Sequence, residues 1–176
     1  MKNLFYILII LILFLSCERK SGKNNIEKNN NYNCICENQF CDYYVKVVGV
    51  VDGDTFKGLT DEKQEVKYRI YGIDAPEKSQ AFGTKAREFL SDLIFDKTVG
   101  IKEDSKDRYG RLIVWVFTPN KNDVSAEMLK AGMAWHYKKY DDTELYERLE
   151  IEARENNLGL WADVESIAPW NFRKKK

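Results

Sequence analysis

The strongest constraint on the fold of this chain is the way its hydrophobic period changes after residue 42. Three short runs of β-branched and aromatic residues come first, and a pattern with one apolar helical face follows. Two further strand runs then precede two more helical stretches. The strand runs are 43–51, 55–59, 65–73, 97–102 and 111–117, and the helical stretches are 79–95, 124–131 and 143–156. This order predicts an α+β fold that is mainly β.

Five short strands with helices between and after them can close into a small sheet. We predict a five-stranded Greek-key barrel of the oligonucleotide/oligosaccharide-binding (OB) fold, with about three α-helices packed outside. The chain has 176 residues, which suits one domain with extensions. We place this domain at residues 43–165 and a basic C-terminal tail at residues 166–176.

Charge and histidine content narrow the possible functions. The chain has 28 lysines and arginines against 28 aspartates and glutamates, so its formal net charge is zero. Neutrality excludes a polybasic protein that binds nucleic acid by wholesale phosphate neutralisation, but it leaves room for one local nucleic-acid site. The single histidine, His136, excludes a histidine-cluster metal site.

Residues 1–16 have the features of a targeting segment. An unbroken apolar run occupies positions 4–15 after Lys2, and Cys17 follows the small residue Ser16. The run is short for a membrane-spanning helix and resembles a bacterial lipoprotein signal, in which Cys17 becomes lipidated. A plain secretory signal and an uncleaved membrane anchor are the alternatives. Each of the three predicts a protein outside the cytosol, either in the bacterial cell envelope and anchored to a membrane or secreted.

Residues 17–42 are predicted to form a flexible tether, because most of the segment is polar, rich in asparagine and without a hydrophobic period. Three cysteines lie near its end, at Cys34, Cys36 and Cys41. In an oxidising envelope, Cys41 is expected to form a disulfide with either Cys34 or Cys36. The sequence leaves that choice open.

Acidic residues and arginines concentrate at three predicted turns, which are 52–55, 69–77 and 107–111. In the second turn, Pro76 restricts Ala75 to an extended conformation. Asp74 and Glu77 are therefore held on either side of a rigid corner. Functional residues are common in such loops, although each turn taken alone also fits an ordinary turn sequence.

A barrel that brings these turns to one rim would place more acids than bases together. Four carboxylates would face two arginines, and these residues are Asp52, Asp54, Asp74, Glu77, Arg69 and Arg111. The carboxylates would repel one another unless a divalent cation added positive charge. Ligation by oxygen alone favours Ca²⁺, Mg²⁺ or Mn²⁺ over Zn²⁺. A hard cation, two arginine forks and a spare carboxylate meet the requirements of phosphoryl chemistry.

The ordered set of turn motifs resembles the thermonuclease family, also called staphylococcal-nuclease-like. The motifs are VVDGDTF, RIYGIDAPE and DRYGR, followed by GMAWHYKKY, ARENNLGLW and APWNFRK. The resemblance covers residues 44–161 and extends more weakly to Arg173. It implies a Ca²⁺-dependent phosphodiesterase that cleaves DNA and RNA with little sequence specificity and leaves 3′-phosphate ends.

The resemblance also implies which residues bind the metal. Asp54, Asp74 and the main-chain carbonyl of Ala75 would bind Ca²⁺, and Asp52 would lie near the metal without being a ligand. Ala75 stands where the best-studied members of the family carry threonine. A main-chain ligand tolerates that change.

Catalytic and substrate-binding roles follow from the same motifs. Glu77 would be the general base that activates water, and Arg69 and Arg111 would hold the scissile phosphate. The nucleotide pocket would be lined by Tyr109, Tyr137 and Tyr140. For Tyr137 and Tyr140, ordinary surface or core packing is the alternative. The neighbouring His136 is expected to be structural.

Two other functions fit an OB fold in the cell envelope. One is a non-catalytic module that binds nucleic acid or a protein, and the other is a protein that binds Ca²⁺ for structure alone. Degenerate family members of the first kind lose the acids or the arginines, whereas this sequence retains both sets. The second kind leaves Arg69 and Arg111 without a role. We therefore expect a monomeric hydrolase whose substrates are DNA and RNA.

Overall fold

The computed structural model describes residues 41–175. The predicted signal segment 1–16, Cys17, Cys34 and Cys36 lie outside these residues, as does nearly all of the predicted tether. The lipid anchor and the disulfide therefore stay predictions. Among the described residues, no helix combines the length and the apolar character needed to cross a membrane.

Short strands dominate the first half of the described chain, and helices dominate the second half. The strands are β1 (Tyr43–Val50), β2 (Thr55–Leu59), β3 (Glu65–Ile70), β4 (Ile73–Asp74), β5 (Thr98–Lys106), β6 (Leu112–Phe117) and β7 (Trp135–His136). The α-helices are α1 (Gly83–Ile94), α2 (Val124–Lys130), α3 (Glu144–Glu155) and α4 (Pro169–Phe172). Two 3₁₀ turns lie at Gly159–Ala162 and Arg173–Lys175.

Five of the strands form a closed barrel in the order β1–β2–β3–β6–β5, with β5 pairing back to β1. Neighbouring strands are antiparallel except for β3 and β6, which pair in parallel with Arg69 opposite Ile113. Alternate strand residues point inwards. The interior is filled by buried side chains such as Phe56, Tyr68 and Val114. This closed barrel with helices outside confirms the predicted α+β OB fold.

The third predicted strand, 65–73, is interrupted. β3 ends at Ile70, and Gly72 has a φ of +75°, a left-handed conformation that glycine adopts without steric cost. The chain then enters β4, which pairs with β7 in a separate two-stranded sheet. As a result, Asp74 belongs to this small sheet and not to the barrel.

The first helix begins at Gly83, later than predicted, because turns at residues 77–82 come first. A Cβ at position 83 would lie 2.0 Å from the carbonyl oxygen of Glu77, so the close contact requires glycine. The buried face of α1 then consists of Gly83, Ala86, Leu90 and Ile94. This helix thus packs directly behind the corner that carries Glu77.

The C-terminal residues extend the fold beyond α3. A small cluster of Ala153, Leu160 and Trp161 anchors the 3₁₀ turn after α3. Residues 169–175, here called the C-terminal segment, form α4 and the final 3₁₀ turn. In this segment the Trp170 ring packs against Tyr137 and Trp135. The residues predicted as a basic tail therefore include a folded segment.

Candidate active site

The loop between β1 and β2 carries Asp52 and Asp54 to the barrel rim. Gly53 lies between them, where a Cβ would be 2.6 Å from the Cβ of Ala75 and 2.8 Å from the Cβ of Ala86. The Oδ2 atom of Asp54 accepts a hydrogen bond of 2.8 Å from the main-chain N–H of Ala75. This loop is therefore tied directly to the corner that follows β4.

Arg69, on β3, joins two buried aspartates. Its Nη2 atom lies 3.1 Å from Oδ2 of Asp54 and 3.1 Å from Oδ1 of Asp74. Its Nη1 atom donates to the carbonyl oxygen of Ile70 at 2.7 Å. Asp54 and Asp74 are only 6% and 2% exposed, so both carboxylates need charged or hydrogen-bonding partners. Arg69 supplies one partner to both.

A second arginine reaches the same acids from the C-terminal segment. The Nη2 atom of Arg173 lies 2.7 Å from Oδ2 of Asp74, and its Nη1 atom lies 3.3 Å from Oδ1. The same Nη1 atom is 2.7 Å from Oε1 of Glu77. These bonds raise the pKa of the Arg173 guanidinium above its ordinary value. Arg173 thus bridges the buried Asp74 and the more exposed Glu77.

Arg111 is held at the start of β6 by a different set of contacts. Its Nε atom donates to Oδ2 of Asp107 at 2.8 Å, and its Nη1 atom donates to the Thr55 hydroxyl at 3.2 Å. Oδ1 of Asp107 also accepts from the main-chain N–H of Arg111 at 2.9 Å. Burial acts to raise the pKa of Asp107, but the hydrogen bonds from Arg111 outweigh it and the pKa is lowered. Asp107 therefore stays ionised and orients the guanidinium.

The acidic cluster consists of the four carboxyl groups of Asp52, Asp54, Asp74 and Glu77, and two arginines, Arg69 and Arg173, contact it. Burial raises the pKa of Asp52 to about 7, and the negative charge of Asp54 adds to this rise. Burial also raises the pKa of Asp74, although hydrogen bonds from Arg173 oppose the shift. The cluster would therefore be stabilised by a further positive charge.

A single groove of about 1250 Å³ brings the predicted site residues together. Its lining includes Asp54, Asp74, Ala75, Arg69, Glu77, Arg111, Tyr109, Tyr137 and Tyr140. Tyr109 is 70% exposed, with its ring 5.8 Å from the guanidinium carbon of Arg111. The rings of Tyr137 and Tyr140 are 5.0 Å apart. Three turns that are distant in sequence thus share one surface.

The lone histidine lies apart from this chemistry. His136 is 3% exposed, and its Nε2 atom is 2.6 Å from Oδ2 of Asp141. Asp141 in turn accepts hydrogen bonds from the hydroxyl and the main-chain N–H of Thr143. The ring therefore links β7 to the residue that precedes α3.

Comparison with known proteins shows which family has a sequence similar to that of this chain. Residues 67–163 match the family model described as "Staphylococcal nuclease homologue". The chain is 42% identical over 131 residues to an "uncharacterized endonuclease" of Haemophilus influenzae, covering 74% of this chain and 73% of that protein. It is 39% identical over 146 residues to a "micrococcal nuclease" of Shigella flexneri, covering 77% and 83%. It is 37% identical over 135 residues to an "uncharacterized endonuclease" of Escherichia coli O157:H7, covering 77% and 88%.

The chain belongs to the staphylococcal nuclease family. This finding confirms the resemblance seen in the turn motifs. The family match includes Arg69, Asp74, Glu77 and Arg111, whereas Arg173 lies beyond its end.

Sequence reasoning assigned no site role to Asp107 or Arg173. Asp107 opens the DRYGR motif, where aspartate also suits an ordinary turn. Arg173 is 99 residues from Asp74 in the chain. Its basic surroundings indicated only a charged tail, since no periodic pattern predicts which distant acid a terminal arginine contacts.

The donor set of the groove fits a hard cation. Within residues 41–175, no three acidic, histidine or cysteine side chains are grouped so as to hold a metal ion by themselves. Asp54 and Asp74 nevertheless provide two buried carboxylates, each within 3.1 Å of one guanidinium nitrogen. Ca²⁺ takes its remaining ligands from main-chain carbonyls and water. In this member of the staphylococcal nuclease family, Ala75 directly follows Asp74 in the chain, and its main-chain N–H donates a hydrogen bond to Asp54.

Proposed function

We propose that this member of the staphylococcal nuclease family is a Ca²⁺-dependent nuclease that hydrolyses phosphodiester bonds of DNA and RNA with little sequence specificity. The observation that carries the proposal is the pair of buried aspartates joined by Arg69, in a groove that also contains Glu77 and Arg111. The names of the relatives, endonuclease and micrococcal nuclease, support the reaction class.

Phosphate binding is assigned to two of the arginines that line the groove, Arg69 and Arg111. Arg111 is oriented by Asp107 through Nε and by Thr55 through Nη1. A guanidinium fixed in this way can bind two phosphate oxygens and stabilise the charge that grows on them as the bond breaks. The Arg69 guanidinium contacts Asp54 and Asp74 and would also contact the substrate phosphate. It links the phosphate position to the acidic cluster.

Water activation is assigned to Glu77. Its side chain is 37% exposed, far more than those of the two aspartates, so water and substrate can reach it. The Glu77 carboxylate accepts a proton from water while the water oxygen bonds to phosphorus and the bond to the 5′ oxygen breaks. The departing 5′ oxygen takes up a proton from solvent, so the products are a 3′-phosphate and a 5′-hydroxyl. Ca²⁺ held by Asp54, Asp74 and the Ala75 carbonyl would supply charge stabilisation to the phosphate oxygens.

Nucleotide binding is assigned to three tyrosines of the groove. Tyr109 is highly exposed beside Arg111, and Tyr137 and Tyr140 pack edge to face. Their rings offer stacking surfaces that accept any base. Such surfaces support low sequence specificity.

We also propose that the enzyme acts as a monomer in the cell envelope. The support for this location is the apolar run at positions 4–15 that ends next to Cys17. Labelling of cells with a radioactive fatty acid tests it. The Cys17→Ser variant should lose the label, and a label that persists would contradict the lipid anchor at this residue.

The nuclease proposal is tested by incubating the purified chain with plasmid DNA and with single-stranded RNA, in Ca²⁺ and in excess chelator. We expect degradation of both substrates in Ca²⁺, products with 3′-phosphate ends, and no degradation in chelator. Undiminished cleavage in chelator would contradict the metal requirement. Absence of cleavage under both conditions would contradict the nuclease itself.

A further inference from the structure

The C-terminal segment contacts two parts of the catalytic groove at once. Arg173 lies against the acidic cluster, and Trp170 lies against Tyr137, one of the tyrosines assigned to nucleotide binding. Each contact occupies a surface that the proposed nuclease needs for Ca²⁺, for water or for substrate. The segment and the reactants therefore compete for the same places.

Arg173 engages both oxygens of Asp74. Its Nη2 atom is 2.7 Å from Oδ2, and its Nη1 atom is 3.3 Å from Oδ1, which also lies 3.1 Å from Nη2 of Arg69. A cation bound to Asp74 would therefore meet two guanidinium groups, and like charges in contact repel one another, most strongly where water is excluded. Binding of Ca²⁺ at Asp74 and the Arg173 contact therefore oppose each other.

The same guanidinium holds the proposed general base. The Nη1 atom of Arg173 lies 2.7 Å from Oε1 of Glu77. A charge-assisted hydrogen bond of this length is among the stronger ones in proteins, and it occupies an oxygen that would accept the proton from water. Glu77 is therefore hindered as a base while Arg173 stays in place.

Trp170 occupies a surface of the proposed nucleotide pocket. Its ring stacks on Tyr137, with ring centres 5.3 Å apart and planes 6° apart. This is the parallel arrangement in which a base stacks on an aromatic side chain, so a base on that face of Tyr137 would need the same space. The indole therefore excludes a base from this face.

The outer part of the segment can leave without disturbing the core. Its root is fixed, because Ala168 and Pro169 are buried and Gln80 donates a hydrogen bond to the carbonyl oxygen of Ile167. Beyond this root, residues 170–174 are each exposed or half-buried. Elements with so little buried surface open at a small cost in free energy. The chain can therefore pivot at the residues that follow Pro169.

We propose that the C-terminal segment is an autoinhibitory strap, which restrains the acidic cluster and Tyr137 until Ca²⁺ binds and releases it. The inference rests on the proposed nuclease function, since that function requires Ca²⁺ at Asp74 and a free Glu77. Trp170 and Arg173 belong to one short segment, so their contacts form and break together. Weakening the stack on Tyr137 therefore raises the affinity for Ca²⁺, because the released state binds the ion better.

Fluorine NMR of the purified full chain, labelled with 5-fluorotryptophan, follows the release without any substrate. The chain has four tryptophans, and the signal lost in Trp170→Phe identifies Trp170. On adding Ca²⁺ in place of chelator, we expect this signal to move towards that of free 5-fluorotryptophan, while the Trp115 signal from β6 stays in place. A Trp170 signal that is the same in saturating Ca²⁺ and in chelator would overturn the strap.

A variant that changes no charge separates the strap from a local charge effect. Trp170→Ala removes the stack on Tyr137 and leaves every charged group in place, and we expect it to bind Ca²⁺ several-fold more tightly in calorimetric titration. Tyr44→Ala, which truncates an exposed aromatic residue of β1, is the matched control and should bind as the wild type does. Tighter binding by Arg173→Gln but not by Trp170→Ala would overturn the strap.

The Ca²⁺ dependence of DNA cleavage tests the inhibition itself. In Arg173→Gln, we expect half-maximal cleavage at a several-fold lower Ca²⁺ concentration, whereas Lys174→Gln, which removes a charge from the exposed neighbouring residue, should match the wild type. A lower rate of Arg173→Gln at saturating Ca²⁺ would show that Arg173 assists the reaction, and it would overturn the inhibition.

Failure of the strap and failure of the nuclease give different results. Cleavage that requires Ca²⁺, with a Trp170 signal that does not respond to the ion, would overturn the strap alone. A Trp170 signal that responds to Ca²⁺ in a chain that cleaves neither DNA nor RNA would support release of the segment and contradict the nuclease function.

Discussion

At the scale of single residues, the site depends on groups that orient other groups. Arg111 would be a flexible side chain at the end of a strand if Asp107 and Thr55 did not fix its Nε and Nη1 atoms. Asp107 also accepts hydrogen bonds from two main-chain N–H groups, those of Tyr109 and Arg111. The same carboxylate therefore stabilises the turn and places a negative charge beside the Arg111 guanidinium. The DRYGR turn thus orients the arginine that we propose binds the phosphate.

The role of Asp107 can be separated from that of Arg111. In Asp107→Asn, we expect kcat for DNA cleavage to fall roughly ten- to a hundred-fold, because the guanidinium loses the partner that aims it. Arg111→Lys should cost about a hundred-fold or more, since an ammonium group cannot bind two phosphate oxygens as a fork. Steady-state kinetics of both single variants and the double variant provide the measurement.

If Asp107 acts through Arg111, its replacement should have little further effect in the Arg111→Lys background. Strictly additive losses would show that Asp107 has a separate function. Asp61→Asn, at an exposed position in the turn between β2 and β3, serves as the control and should leave kcat unchanged.

At the scale of elements, the site depends on how closely the β1–β2 loop approaches the corner after β4. Gly53 permits this approach, because any larger residue would place its Cβ within 2.8 Å of Ala75 and Ala86. We expect Gly53→Ala to lower the free energy of unfolding by about 1–3 kcal/mol and to displace Asp54 from the Ala75 N–H. Urea denaturation measures the change.

Gly49→Ala is the matched control for this loss, because its Cβ would meet only Lys57 at an ordinary distance of 3.8 Å. Replacing glycine at a permissive position is neutral or slightly stabilising. Equal unfolding free energies for Gly53→Ala and the wild type would contradict the close approach of the loop.

The C-terminal segment acts on the acidic cluster through one side chain. Arg173 bonds to Asp74 and Glu77, so it supplies positive charge where the proposed Ca²⁺ would also supply it. We expect Arg173→Gln to bind Ca²⁺ several-fold more tightly, on the order of 1 kcal/mol, because the carboxylates lose a competing cation. Calorimetric titration of the chain with Ca²⁺ measures the affinity directly.

The matched variant Lys78→Gln removes the same charge from an exposed residue next to Glu77 in sequence, and it should alter the affinity much less. Unchanged or weaker Ca²⁺ binding by Arg173→Gln would show that Arg173 does not compete for these carboxylates.

At the scale of the whole molecule, the hydrophobic period of the sequence and the residue composition of its turns were sufficient to predict the barrel. Alternating strands and one amphipathic helix are local patterns, and closure followed from their number. The break at Gly72 was not predictable, because Gly72 lies in close contact with Tyr146, which is distant in the sequence. The late start of α1 depends on the close local contact between Gly83 and the carbonyl oxygen of Glu77, which the helical period of the sequence does not reveal.

The same distinction applies to the site. The acids and arginines could be grouped from three turns because an OB barrel brings those turns to one rim. Arg173 could not be added to them, because its partners Asp74 and Glu77 lie 99 and 96 residues earlier in the sequence. The stacking of Trp170 on Tyr137 was equally hidden, because the two rings meet only when α4 packs against the residue that follows β7.

We propose that Glu77 activates water for phosphodiester hydrolysis. The most direct measurement is the single-turnover rate at which Glu77→Gln cleaves a labelled single-stranded oligonucleotide in saturating Ca²⁺, relative to the wild type. We predict a loss of about 10²- to 10⁴-fold, because the amide cannot accept the proton from water. A rate close to that of the wild type would contradict the assignment of Glu77 as the base.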